Sequence, residues 1–225
     1  MTGKNIYGDR GQYFEEAFEK LLLPNGTAYA GKSTMVRLLA QRHDGIECGE
    51  NYHDALMEAT DPVCQPNLGY FQTMGGWHEF VSRKPEDYVA WLDGTSREAA
   101  ELEVIQLLRL SQSGKKIFVD TNISLEQLKK IALWDHVAVL LSPQNLSVER
   151  FFDRPDAEKQ FLYRQIMEGP EPEKTMENFR ACIALANSIE RYEAFAGSGF
   201  FTHLRTEEST IEGTLAALEA HFGLC

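Results

Sequence analysis

Residues 26–33 constrain this chain more than any other stretch. Gly26-Thr27-Ala28-Tyr29-Ala30-Gly31-Lys32-Ser33 fits the pattern G-x-x-x-x-G-K-[ST] without departure. Such a loop needs a strand before it and a helix after it. Its backbone must wrap N–H groups around an anion and deliver that anion to a helix N-terminus. The flanks supply both: Leu21-Leu22-Leu23 runs into the turn signal Pro24-Asn25-Gly26, and Ser33 to Arg42 reads as a helix. In this reading Gly26 through Ser33, with Thr34, surround the phosphates of a nucleotide. Lys32 reaches the β- and γ-phosphates, and Ser33 offers its hydroxyl to Mg²⁺. Pro24 is the one awkward residue, because proline is unusual near the end of a central strand.

The rest of the chain alternates short apolar runs with longer helical patterns. Asp9 to Leu21 has helical spacing of Phe14, Phe18 and Leu21. Gly45–Gly49 reads as a weak strand, residues 54–80 as irregular, and Pro85–Leu110 as a helix with a break at Gly94. Lys115–Asp120 is a strand, and Ser124 caps the next helix with Gln127 in capping-box spacing. Val137–Leu141 is the best strand in the chain. Helical patterns follow at Ser147–Met167, interrupted near Pro155, and at Glu177–Phe195, with the loop 169–174 between them. Phe200–Leu204 is a last strand and Thr210–Phe222 a closing helix. The alternation predicts an α/β fold: a doubly wound, parallel, five-stranded sheet with helices on both faces. With 225 residues and no linker between halves, one domain is expected over 1–225, with an insert near 54–95 and a lid near 147–175.

A magnesium-dependent phosphate loop also needs a carboxylate at the end of a neighbouring strand. Asp120 closes the apolar run Ile117-Phe118-Val119 and is the candidate, with Ser33, for the metal. The other role open to it is a turn cap before Thr121-Asn122. Composition removes several function classes. Lys and Arg total 22 against 34 Asp and Glu, a net charge of −12, which disfavours general nucleic-acid binding. No apolar run approaches the length of a membrane span, and the first twenty residues carry no apolar signal region, so a cytoplasmic protein is expected. Cys48, Cys64, Cys182 and Cys225 have no paired spacing, which fits reduced thiols and not a zinc site.

The chain has no [NT]-K-x-D guanine-reading motif and no LSGGQ-type signature. Beside the loop at 26–33, three further stretches carry a resemblance. One is Val137–Leu141 with Ser142-Pro143 and Val148-Glu149-Arg150-Phe151-Phe152-Asp153-Arg154. Another is Phe200–Leu204 followed by Thr210-Ile211-Glu212 and a helix. The third is Gly49-Glu50-Asn51-Tyr52-His53-Asp54, with Pro85–Leu92 beyond it. The layout resembles the small-molecule and nucleoside-monophosphate kinases of the P-loop NTPase type, in particular gluconate-kinase-like and shikimate-kinase-like enzymes. Without a guanine-reading motif ATP is the default donor, with GTP the alternative; the resemblance implies Mg²⁺ and transfer of the γ-phosphoryl group to a hydroxyl or phosphate on an unidentified small-molecule acceptor. It implies that Arg150 and Arg154 close over the γ-phosphate, and that Glu50 or Asp54 faces the acceptor. His53, Arg97 and Arg164 are weaker candidates, and Arg205-Thr206 lies where such folds receive a purine. The arginine pair also fits a surface ion-pair role beside Glu149, Asp153 and Asp156. Aromatics at 70–92 (Tyr70, Phe71, Trp77, Tyr88, Trp91) fit either an acceptor pocket or a core, and Met74-Gly75-Gly76 a hinge. The competing functional class is a nucleotide-dependent binding or regulatory protein with slow ATP hydrolysis or none.

Overall fold

A computed structural model describes residues 17–143, 146–153 and 157–224. The expected helix at Asp9–Leu21 lies almost wholly outside them, as does Arg154. The fold is α/β, built on a five-stranded, all-parallel sheet of order β2-β3-β1-β4-β5. The strands are β1 (Leu21–Gly26), β2 (Ile46–Cys48), β3 (Ile117–Val119), β4 (Val137–Leu141) and β5 (Phe201–Leu204). β1 is central because it is apolar on both sides of the pleat. Its register with β3 covers Leu21↔Ile117 and Leu22↔Phe118 and ends there; with β4 it runs from Leu23↔Val137 to Gly26↔Leu140. Pro24 is therefore accommodated where β1 has one ladder instead of two.

Alternation along β1 sorts the sheet into two faces. Leu21 and Leu23 point to a core completed by α4 (Pro85–Ser111), α5 (Leu125–Ile131) and α9 (Ile189–Ala196), through Leu107, Leu128 and Phe195. Leu22 points to the opposite core, made with α1 (Lys32–Arg42) and α10 (Ile211–His221) through Val36, Leu39, Leu215 and Leu218. The connection β1→β2 runs one way across the sheet and the later crossovers run the other way. Crossovers of one hand then place α1 on the face opposite α4, α5 and α9.

A third core lies outside the sheet. It joins α3 (Trp77–Val81) and the first half of α4 to α6 (Leu146–Glu149), α7 (Ala157–Met167) and α8 (Pro172–Ala186), following the single turn α2 (Tyr70–Thr73). Phe80, Val81, Tyr88, Ile166, Phe179, Cys182 and Ile183 are its buried members. The expected insert and the expected lid thus share one apolar interior. The aromatics of 70–92 go mostly into it: Phe80 meets Trp91 at 5.0 Å between centroids and the Arg83 guanidinium covers Tyr70 at 3.8 Å, while Phe71 stays exposed and stacks on Trp77 at 5.2 Å.

Several elements depart from expectation for local reasons. α4 passes through Gly94 unbroken, and glycine is required there because the Asn67 side chain fills the space where a Cβ would stand. The segment 54–80 contains a 3₁₀ helix, Tyr52–Ala59, besides α2 and α3. The helix expected at Glu177–Phe195 begins earlier, at Pro172 in its first turn, and divides at Asn187-Ser188 into α8 and α9. The Ser124–Gln127 capping box is present in both directions. No helix among the described residues is long and apolar enough to cross a membrane.

Candidate functional site

The loop of residues 26–33 sits at the carboxyl end of the central strand, where the helix after β1 leaves on the face opposite those after its neighbours. Ligands of open parallel sheets bind in such a crevice. Its backbone is held open by left-handed residues: Gly26 has φ 126°, Tyr29 66° and Gly31 89°. A non-glycine residue at positive φ is costly, so Tyr29 must be fixed by its surroundings. Its hydroxyl donates to the Arg150 carbonyl at 2.7 Å, and an Arg205 guanidinium nitrogen donates to its own carbonyl at 3.4 Å. The base of the loop is tied to β4. Thr27 N–H donates to Leu140 O at 3.0 Å, Ser142 N–H to Thr27 Oγ1 at 2.9 Å, and Ser142 Oγ–H to Ala28 O at 2.7 Å. Asn25 Nδ2 donates to Ile123 O at 3.0 Å, joining the loop's entry to the exit of β3.

Helix α1 begins at Lys32 with no side-chain cap at Gly31 and no acid in its first turn. A lysine at a helix N-terminus opposes the helix dipole, and the first-turn N–H groups lack intrahelical partners. Both features favour an anion at this point. Lys32 Nζ donates to Thr27 O at 3.2 Å, and so lies across the loop. Ser33 Oγ–H donates to Asp120 Oδ2 at 2.6 Å.

Asp120 is buried just past β3, at 2% exposure. Burial holds its carboxyl above the ordinary carboxylate range. Lys32 and the Ser33 hydrogen bond oppose the shift, while Glu50 and Glu103 add to it. Ser33 and Asp120 are hard oxygen donors of the type Mg²⁺ takes. No group of three or more His, Cys, Asp or Glu side chains that could hold a metal occurs among the described residues. Two protein oxygens fit Mg²⁺ completed by phosphates and water; they do not fit an all-protein cage.

The loop opens into a cleft of about 1130 Å³, large for one small molecule. Lys32, Ser33, Thr34, Glu50 and Asp120 line it, and its far wall comes from α4, α8 and α9. There an Arg191 nitrogen reaches both oxygens of Asp93, at 2.7 and 2.6 Å, bridging α9 to α4. Sequence spacing gave no sign of this pair, whose members are 98 residues apart.

The remaining candidates divide. Glu50 is exposed and faces the cleft. Asp54 does not line it; its side chain is 69% exposed. Arg150 is brought to the loop by its carbonyl, not by a guanidinium lining the cleft. Arg154 lies outside the described residues. Lys159 of α7 is the cation from the expected lid that does line the cleft, with its ammonium 5.9 Å from the Tyr29 ring centroid. Arg97 and Arg164 are exposed and absent from the lining; Arg205 meets the loop at Tyr29 and Gly31. Tyr88 is the one aromatic of the 70–92 group on the cleft wall.

Sequence reasoning passed over Glu103, a fully buried carboxylate on α4. The available signal was an acid on the apolar stripe Ala99, Ala100, Glu103, Gln106, Leu107 of a helix. No family model, curated protein or solved structure matches this chain.

Proposed function

We propose that this protein is a phosphate-loop phosphotransferase that moves the γ-phosphoryl group of ATP to a hydroxyl or phosphate on a small-molecule acceptor. One observation carries the reading. The loop Gly26–Ser33 stands at the carboxyl end of the central strand and runs into an uncapped helix, while Ser33 meets Asp120, from the neighbouring strand, at 2.6 Å. In this reading the loop and first-turn N–H groups hold the phosphates, and Lys32 swings from Thr27 O to the β- and γ-oxygens. Ser33 and Asp120 hold Mg²⁺, which when bound neutralises phosphate charge. Glu50 faces the acceptor and orients or accepts the proton of its hydroxyl. Lys159 is the cation placed to follow the γ-phosphate; Arg150 reaches that role only by leaving its present orientation. The cleft has room for an acceptor beside a nucleotide.

A second reading has its own support. The Tyr29–Arg150 hydrogen bond ties the loop to the turn that closes α6, a route by which nucleotide state could be passed to the outer helical layer. A nucleotide-dependent regulatory protein would use it without an acceptor. The test is ADP release from Mg-ATP with and without nucleosides, nucleoside monophosphates, sugar acids, shikimate and aminoglycosides. A phosphotransferase shows a jump with one acceptor class. A flat panel with tight Mg-ATP binding refutes transfer to those classes and supports the regulatory reading.

A further inference from the structure

Glu103 is the least expected group near the cleft. Its Oε2 accepts from Tyr52 OH at 2.8 Å, Thr121 Oγ1 at 2.9 Å and the Asn122 N–H at 3.1 Å. Its Oε1 accepts from Asn122 Nδ2 at 2.9 Å and lies 3.4 Å from His53 Nδ1. The hydrogen-bonding partners are all donors, matched to an acceptor-only carboxylate. Neither lysine nor arginine is among them. A buried carboxylate with no lysine or arginine beside it is a poor route to stability, since its desolvation is costly.

What the network does achieve is placement. Thr121 and Asn122 follow Asp120 directly, so Glu103 anchors the two residues after the candidate metal carboxylate. Tyr52 and His53 belong to the segment leaving β2, which carries Glu50. Asn122 Nδ2 donates to Glu50 O at 3.0 Å as well as to Glu103, so one amide links both loops. Asp120 N–H, in turn, donates to Cys48 O at 2.9 Å, closing the ring between β2 and β3.

We propose that Glu103 is a positioning residue for metal-dependent nucleotide binding. From behind the sheet's carboxyl edge it fixes Asp120 relative to Ser33, and Glu50 relative to both. The inference rests on the phosphate-loop reading above, and it predicts a specific defect. Residues that support a metal ligand from outside its coordination shell cost about 10–100-fold in metal affinity when changed. Glu103→Gln should therefore raise the Mg²⁺ concentration that half-saturates its effect on ATP affinity by at least about tenfold. ATP affinity measured without metal should stay unchanged.

Titration calorimetry of ATP at stepped Mg²⁺ concentrations reads both quantities without any acceptor or turnover. Asn122→Ala removes the linking amide from a half-buried site and should shift the Mg²⁺ dependence in the same direction by a smaller factor. It decides the matter if Glu103→Gln does not fold. A lower melting temperature with wild-type Mg²⁺ dependence in the folded variants would mark Glu103 as structural only and overturn the proposal. Absence of ATP binding to the unaltered protein, with or without Mg²⁺, is a different failure: it overturns the phosphate-loop reading and this inference with it.

Discussion

The two glycines that define the loop motif do unequal work, and alanine at each should separate their roles. Gly26 lies at φ 126°, and a Cβ there would fall inside the van der Waals shell of the Leu140 carbonyl on β4. Leu140 O already receives the Thr27 N–H at 3.0 Å. Gly26→Ala thus incurs about 1–2 kcal/mol for a left-handed backbone. To that are added about 1–3 kcal/mol for forcing two packed strands apart and about 1 kcal/mol for the weakened Thr27 bond. The total is about 3–6 kcal/mol. For a chain of this size each kcal/mol lowers the melting temperature by about 2–4 °C, giving a drop of about 6–24 °C. Gly31, at φ 89°, faces only the end of the flexible Arg205 side chain at 3.3 Å. Gly31→Ala incurs the backbone term alone, and a drop of about 5 °C follows. Thermal melts by circular dichroism without nucleotide check both numbers. Equal melting temperatures for the two variants, or a larger loss at Gly31, would refute the argument that Gly26 is demanded by β4 and not by the anion.

Three further outcomes are expected. On the proposed reading, Lys32→Ala should leave the fold intact, since Lys32 hydrogen-bonds only its own loop, and should abolish the stabilisation that Mg-ATP binding would give the unaltered protein, about 2.7 kcal/mol at a hundredfold excess over Kd. Asp120→Asn should raise the melting temperature at neutral pH while removing Mg²⁺-dependent binding. Burial lifts the Asp120 carboxyl, so its contribution to stability is present below the ordinary carboxylate range and is lost as pH rises through the lifted value; the advantage of Asn should vanish in acid. Phe179 is fully buried and meets Tyr88, Phe151 and Phe152 at centroid distances of 5.6–5.9 Å. Phe179→Ala should cost about 3–5 kcal/mol, seen as faster hydrogen exchange in residues 77–92 and 157–186 with β1 and β4 still protected.

The elements legible in the sequence were those whose signal is local. Val137–Leu141 and Ile117–Val119 are uninterrupted apolar runs because both faces of their strands are covered. The Ser124–Gln127 box reads directly from residue spacing. The turn between β1 and α1 was legible because its backbone path favours glycine at Gly26 and Gly31, both of which stand at positive φ. Legibility failed where distant contacts decide. Gly94 looked like a helix break until Asn67 was seen lying against it. Tyr70, Trp77 and Trp91 could not be told from pocket walls, because a core shared between 70–92 and 146–186 leaves no periodic trace. Asp93–Arg191 and the Glu103 network join residues far apart in the chain; only the second had any advance notice, a lone acid on an apolar helical stripe.

The shared interior of insert and lid has a consequence for how ligands communicate. Phe80 and Tyr88 on one side, Phe151 and Phe179 on the other, are parts of a single packed body, so the two segments lining the cleft could not move separately without opening that interior to water. For a phosphotransferase this makes closure a joint event. Whichever ligand arrives first works against the open state on behalf of both, and the second then finds its wall already in place. Linkage requires the benefit to be mutual: the factor by which nucleotide tightens acceptor binding must equal the factor by which acceptor tightens nucleotide binding. A protein built this way would hold either ligand loosely and the pair firmly, which keeps bound ATP from being presented to water until an acceptor is there to receive its phosphoryl group.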